Sequence, residues 1–328
     1  MHEERGGTAA LPGLADGAVL TVGTFDGVHV GHRDLLARLA LRARDQGLPS
    51  LLVTFQPHPL EVVNPPAAPL LLTPGDEKLE AVVDTGVDFV TVLPFTPQLA
   101  RYSATAFVEE ILLRRFRMRE LLIGYDHGLG RGREGDVALL RRLGAHHRFP
   151  VEVVDAITVE GAPVSSSAIR RAVSYGELGE ASRLLGRRYS FRGRVGHGGG
   201  RGRLLGYPTV NVMLLSRRKL LPPPGVYAVL LQSGRGIFGG MMNLGPRPTF
   251  GETALSLEVH LFDVSGDWYG ADVRVELVTR LRDTQRFESP EALVAQLGRD
   301  ERDARRALTQ LEERDTVRGS ANNPTSFQ

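Results

Sequence analysis

Near residue 187 the texture of this 328-residue chain changes, and that change narrows the possible folds more than any other feature. Before it, short apolar runs alternate with amphipathic stretches. The pattern predicts strands at Ala18–Thr24, Ser50–Phe55, Val87–Leu93, Glu120–Gly124 and Val151–Asp155. Between them it predicts helices over His32–Gln46, Glu77–Thr85, Ala104–Arg115 and Asp136–His147. Strands spaced by helices of roughly 10–15 residues build βαβ units, and hence a parallel sheet covered on both faces. Ser166 to Leu185 reads as further helix, capped by Ser165 or Ser166. Beyond residue 187 the strands Tyr189–Gly196, Gly225–Gln232, Gly236–Asn243, Leu255–Phe262 and Asp272–Leu281 follow one another with Gly and Pro between them and no helix. Such a run predicts a small antiparallel barrel. A helix from Pro290 to about Glu313 closes the pattern, and the polar tail from Asp315 is expected to be disordered. The expected domains are therefore 1–186, α/β with a parallel sheet, and 187–314, a β-barrel with a C-terminal helix, followed by the tail 315–328.

Composition agrees with two globular domains. Hydrophobic residues make up 42% and charged residues 24%, enough for two cores. No run approaches the roughly 18 apolar residues of a spanning helix. The first residues, MHEERGGTAALPG, lack the basic region and apolar stretch of a signal peptide. The absence of cysteine excludes disulfides, iron–sulfur clusters, thiolate zinc sites and cysteine nucleophiles, and a cytoplasmic location is expected. Of 40 basic residues only Lys78 and Lys219 are lysine, a bias that genome composition explains without function. With 38 acidic residues the formal charge is +2. A pI near 9.1 reflects the scarcity of groups titrating between His and Tyr, and is poor grounds for nucleic-acid binding. Division at residue 185 is more informative: 19 basic and 23 acidic residues before it give −4, and 21 and 15 after it give +6. The basic second half suits nucleic acid or phosphorylated small molecules.

The strongest local signal is GTFDGVHVGH, Gly23 to His32, between the first predicted strand and the first helix. A glycine-bearing strand-to-helix turn brings backbone N–H groups to a phosphate at the positive end of the helix. His29 and His32 project toward the same point, where imidazoles can stabilise charge on a phosphoryl group. A packed turn with capping histidines is the plain alternative. A metal pair is another, but no third ligand is evident. Later, VSSSAIR supplies Ser165, Ser166, Ser167 and Arg170 at a helix start, either a cap with a solvated arginine or a cradle for phosphates. GxxxxGK[ST] cannot be written here. The GxGxxG at Gly130, Gly132 and Gly135 lies late in the sheet, away from the tight first turn that a dinucleotide fingerprint requires. TFQPHP, with His58, ends the second strand, where ligands of parallel sheets bind, or is simple punctuation.

H-x-G-H after the first strand, paired with S-S-S-x-I-R, resembles the nucleotidyltransferase superfamily of cytidylyl- and adenylyltransferases, whose domain is Rossmann-like. In the second half, HGGGRGR places four glycines and two arginines in Gly198–Arg203, a mobile basic flap or a glycine-rich hairpin. PTVN puts Thr209 and Asn211 on one side of an extended segment, oxygens suited to Mg²⁺ and phosphate. Glu258, in SLEVHLFD, is ordinary if it faces solvent. Facing the core, it needs a partner or a task such as general base.

Those second-half residues, in that order, resemble a riboflavin kinase domain. From about residue 18 to 310 the chain resembles the bacterial bifunctional riboflavin kinase/FAD synthetases. The resemblance implies phosphorylation of riboflavin to FMN by ATP, with Mg²⁺, in the barrel, then adenylyl transfer from ATP to FMN, giving FAD and pyrophosphate, in the first domain. It implies Glu258, His29 and His32 as catalytic, with Gly23, Phe25, Asp26, Gly31, Ser166, Ser167 and Arg170 binding ATP in the first domain. In the barrel it implies Gly199, Gly202, Arg203, Pro208, Thr209 and Asn211 for ATP, the last pair also for the metal. Flavin falls to Asn243, Arg247, Asp126 and His58. One departure stands out. Where the family has a D-F-R-F-G-like stretch, this chain has Asp126-His127-Gly128-Leu129-Gly130, which puts substrate affinity in the first domain in question. Two rivals remain, a different HxGH transferase with an unrelated barrel, and a non-enzymatic nucleic-acid-binding barrel. PTVN with Glu258 argues against the first, and the lack of aromatics in the basic flap against the second. Neither nucleic acid nor membrane is expected as a partner.

Overall fold

A computed structural model describes residues 2–5, 14–198, 201–246 and 255–321. The chain forms two compact units, Met1–Ala168 and Ile169–Gln328. Helix Leu178–Leu185 contacts strand β14 (Asp272–Arg282), so it belongs to the second unit although its sequence pattern continues the first.

The first unit is a six-stranded sheet, parallel at every pairing. Its strands are β1 (His2–Arg5), β2 (Ala18–Val22), β3 (Ser50–Gln56), β4 (Phe89–Pro94), β5 (Met118–Gly124) and β6 (Val151–Val154), in the order β1-β4-β3-β2-β5-β6. The five expected strands are present, and β1 adds an edge that its polar sequence did not announce. Alternation divides the core. Leu20, Val22, Leu51, Val53, Leu121 and Ile123 meet Phe107, Leu112 and Leu140 on one face. Val19, Leu52, Val90 and Leu122 meet Leu35, Leu36, Leu39 and Val82 on the other. Burial on both faces is why these strands read as continuous apolar runs. The covering helices include Val30–Asp45, Asp76–Val83 and Val137–His147, while the expected helix from Ala104 to Arg115 becomes a π-helix over Phe107–Arg115. Beyond the sheet, β7 (Thr158–Val159) and β8 (Ala162–Pro163) form a small hairpin. Strand order reverses between β2 and β5, and the carboxyl ends of those two strands frame the crevice where doubly wound sheets bind ligands.

The expected single helix from Ser166 to Leu185 is two, Ser166–Tyr175 and Leu178–Leu185. Gly176, at φ +76°, breaks it, because a left-handed backbone cannot continue a helix.

The second unit is a closed antiparallel barrel in the order β10-β13-β12-β11-β14-β9. The strands besides β14 are β9 (Ser190–Gly196), β10 (Val210–Leu214), β11 (Gly225–Ser233), β12 (Gly236–Pro246) and β13 (Leu255–Leu261). Tyr227, Val229, Met242, Leu244, Leu257 and Val259 are buried inside. The alternate residues Ala228 and Met241, with Phe262, pack against Ala304 and Leu308 of the C-terminal helix Pro290–Ala321. That helix is pinned to β14 by Arg282, whose Nε and Nη2 donate to Asp300 Oδ1 and Oδ2 at 2.8 and 2.6 Å, while Gln296 Nε2 donates to Oδ1 at 2.8 Å. It continues past the expected end at Glu313, and Asp315 accepts from Arg188 Nη1 at 3.0 Å.

Candidate active sites

The Gly23–His32 segment leaves β2 at its carboxyl end and enters helix Val30–Asp45. Its backbone is strained: Phe25 and Val28 lie at φ 48° and 40°, unfavourable for side chains with a Cβ and most of all for β-branched valine. Burial holds both, with Phe25 4% and Val28 0% exposed. Asp26 pins the turn from the other side. Its carboxylate accepts from Leu72 N at 3.0 Å and Thr73 N at 2.9 Å, and Gly27 N donates to Thr73 Oγ1 at 2.8 Å. Asp26 is thus a brace of the turn, held by partners 46 and 47 residues farther along the chain, beyond the reach of any local pattern.

His29 is the N-cap of the helix, its Nδ1 accepting from His32 N at 3.2 Å. The two rings stack with centroids 3.6 Å apart at 13°, and Phe25 lies 4.7 Å from the His32 ring. A Cβ at Gly31 would stand 3.3 Å from the His29 ring, so glycine lets the imidazole lie flat on the turn. Capping and chemistry are therefore compatible: Nδ1 serves the helix, and Nε2 carries the proton of the neutral ring. The result is two imidazoles at the positive end of a helix, at the sheet's switch point, an arrangement suited to charge on phosphate.

Ser166 Oγ donates to Asp26 O at 2.8 Å, which brings the serine cluster to this turn, while Ser165 Oγ caps the helix by accepting from Ala168 N at 3.2 Å. Ser167 is exposed, and Arg170 follows Ser166 by one helical turn. His58 forms a capping box for helix Pro59–Val63, accepting from Leu60 N at 3.2 Å while Glu61 accepts from His58 N at 3.1 Å. Asp126 and His127 follow β5 at the crevice. The Asp126 carbonyl accepts from Arg133 Nη2 at 2.8 Å, and burial, with Arg133 nearby, lowers the His127 pKa to about 4, leaving it neutral. The outer two GxGxxG glycines serve packing: a Cβ at Gly130 would lie 2.4 Å from Ala104 N, and one at Gly135 2.7 Å from Ala104 Cβ, while Gly132 faces open space at φ +64°.

Lys78 was not singled out from the sequence. It stands at the carboxyl end of β3, donating from Nζ to Thr54 Oγ1 at 3.1 Å and to Phe55 O at 3.2 Å. Thr54 Oγ1 in turn donates to Thr24 O at 3.1 Å. Burial lowers the Lys78 pKa to about 8, against the opposing pull of Asp26. The usable signal was rarity: neither lysine of the chain is fully exposed, Lys78 being half-buried and Lys219 4% exposed beneath the Tyr189 ring.

In the barrel, pairing assembles what the sequence left scattered. Asn211 of β10 and Asn243 of β12 both pair with Glu258 of β13, so the three form one row across adjacent strands. Alternation puts this row on the face that carries Met241 and the C-terminal helix, outside the barrel. Glu258 is half-buried and accepts from Ser256 Oγ at 2.9 Å. Asn211 is buried beneath Gly198, where any Cβ would fall within 1.9 Å of its Nδ2. A cavity of about 410 Å³ is lined by Arg203, Pro208, Thr209 and Asn211 together with Trp268 and Tyr269. Glu258 adjoins it through Asn211. His260 Nδ1 bonds Pro208 O at 2.8 Å and so ties the PTVN segment to β13. Within the expected flap, Arg201–Leu204 is a helical turn closed by Tyr207 N donating to Gly202 O at 2.9 Å. Gly199 and Arg247 lie outside the described residues. Among the described residues no three His, Asp or Glu side chains gather as a metal site. A metal here would rest on neutral oxygens such as Thr209 Oγ1 and Asn211 Oδ1 and on the ligand's own phosphates.

Comparison with known proteins assigns both halves. Residues 12–168 match the FAD synthetase family model, and residues 185–308 match the riboflavin kinase model. The bifunctional riboflavin kinase/FMN adenylyltransferase of Escherichia coli (strain K12) is 41% identical over 291 residues, covering 88% of this chain and 92% of that protein. The protein of the same name from Listeria monocytogenes is 36% identical over 297 residues, covering 90% and 94%. A crystal structure described as a macrolide-efflux protein from Streptococcus pneumoniae superposes with a TM-score of 0.83 at 30% identity, covering 93% of this chain and 99% of that one. No helix among the described residues is long and apolar enough to cross a membrane. With two family models in order and identity sustained across both units, this chain belongs to the bifunctional riboflavin kinase/FMN adenylyltransferase family.

Proposed function

We propose that the chain converts riboflavin to FMN in the barrel and FMN to FAD in the α/β unit, using one ATP at each step. The observation that carries this reading is the presence in one chain of a stacked His29–His32 pair on a strand-to-helix turn and an Asn211–Glu258–Asn243 row beside a cavity. In the barrel, Glu258 takes the proton of the ribityl 5′-hydroxyl as that oxygen attacks the γ-phosphorus of ATP, and ADP leaves. Thr209, Asn211 and Arg203 bind the phosphates, while Asn243 and Arg247 hold the flavin. Thr209 and Asn211 would hold a magnesium ion bound with ATP, which would supply positive charge against the phosphoryl group. Most of the catalysis is positioning and electrostatics.

In the first unit, an oxygen of the FMN phosphate attacks the α-phosphorus of ATP and the bond to the β-phosphate breaks, releasing pyrophosphate. His29 and His32 stabilise the charge that grows on the α-phosphate. Gly23, Phe25, Asp26 and Gly31 shape that turn, and Ser166, Ser167 and Arg170 take the leaving pyrophosphate. Asp126 and His58 border the flavin. No covalent enzyme intermediate is needed, in keeping with a cysteine-free chain, which also favours the cytoplasm. The test is incubation of the purified protein with riboflavin, ATP and Mg²⁺, with chromatographic separation of the flavins. FMN followed by FAD is expected, and the appearance of neither would overturn the reading.

A further inference from the structure

Lys78 is a half-buried side chain whose charge neither reaction above employs. Its amine bonds Thr54 Oγ1 and Phe55 O at the end of β3, and the Thr54 hydroxyl passes the link to Thr24 O, two residues past the end of β2. Thr24 and Phe25 begin the strained turn that carries the two histidines. Asp26, the brace of that turn, is the charged group that acts on the amine, while its hydrogen-bond acceptors are neutral. Burying an ammonium opposes folding, and a hydrophobic side chain of similar length would avoid that cost.

We propose that Lys78 is a positioning residue of the adenylyl-transfer site, its ammonium tying the carboxyl end of β3, the turn that leaves β2 and the Asp26 brace into the geometry that aims His29 and His32. This rests on the assignment of adenylyl transfer to the first unit. It distinguishes Lys78 from a mere strut. A strut stabilises the fold, whereas a half-buried charge kept for function costs stability and supports the rate.

The test compares wild type, Lys78→Met and Lys78→Arg, with FAD formed from supplied FMN as the main assay and riboflavin phosphorylation by the same molecules as internal control. Lys78→Met is expected to lower kcat for FAD formation by about tenfold or more with KM for ATP within about threefold, because misaimed groups act on the transition state. Its first-unit melting temperature should not fall, and phosphorylation should stay within about twofold. Wild-type FAD formation should decline as pH rises through about 8, a limb absent from phosphorylation and displaced upward in Lys78→Arg. Equal loss of both activities, loss of FAD formation with a matching loss of melting temperature, or Lys78→Met activity within about twofold of wild type would each overturn the proposal. Wild-type protein that makes FMN but no FAD would instead remove the assignment beneath it.

Discussion

Replacing Asp300 with alanine tests whether the C-terminal helix holds the phosphorylation site together. Asp300 is 2% exposed and receives Arg282 Nε and Nη2 and Gln296 Nε2. Removing the carboxylate strands a guanidinium whose side chain is only 19% exposed, with the Asp283 carbonyl as its remaining acceptor and the Phe287 ring 5.8 Å away. Breaking a buried pair from one side costs about 3–5 kcal/mol, and the partial exposure of Arg282 favours the lower figure. For a domain of this size, a loss of about 3 kcal/mol lowers Tm by roughly 10 °C. The damage should reach the active row directly, because Arg282 pairs with Val226, and Val226 with Asn243 beside Glu258. Trp268, the one tryptophan of the chain, is buried in the second unit, so its fluorescence reports the melting of that unit. Phosphorylation should fail at a temperature where FAD is still made from FMN. The double variant Asp300→Leu with Arg282→Met should recover most of the loss, since an apolar pair can replace a buried ion pair at little cost. A Tm decrease under about 3 °C, or a double variant as unstable as the single, would refute this account of the helix.

Glu258→Gln should lower FMN formation by about 10²-fold or more while FAD is still made from supplied FMN, and His32→Ala should do the reverse; chromatography of the flavins reads both, and equal impairment of the two reactions in either folded variant would contradict the division of labour. Lys78 also predicts a pH dependence of stability. Its pKa is about 8 folded against 10.5 unfolded, so both states are charged below 8, the unfolded state binds more protons between those values, and stability rises with pH across that window. The gain relative to Lys78→Met should approach about 3 kcal/mol by urea denaturation, and a flat difference would show that the amine is not buried as described.

Most of the architecture was legible because its signals are local. β2 to β6 announced themselves as apolar runs between helical periods, and the histidine turn by its glycines and its place between strand and helix. What escaped depends on partners far along the chain. β1 is HEER, an edge strand paired in parallel with β4, with no apolar pattern in its sequence to betray it. β10 is short, and its PTVN start looks like a turn until β9 and β13 flank it. Glu258 could face core or solvent on alternation alone; the register that sets it between Asn211 and Asn243 exists only once the barrel closes. The bonds of Asp26 to Leu72 and Thr73 had no local signal, and Lys78 gained meaning only from Thr54 and Phe55.

Closure of the barrel also bears on how the protein emerges from the ribosome. The first unit needs no strand beyond Val154 to complete its sheet, so it can fold while the rest of the chain is being made. β9 is translated next, yet its partner β14 arrives last, Ser190 pairing with Glu276. Closing so long a loop is entropically slow, and until it happens β9 waits with an unpaired edge. The nascent barrel is therefore the part of this protein most exposed to misassembly, and substitutions in β9 should reduce the yield of soluble protein before they alter the finished enzyme.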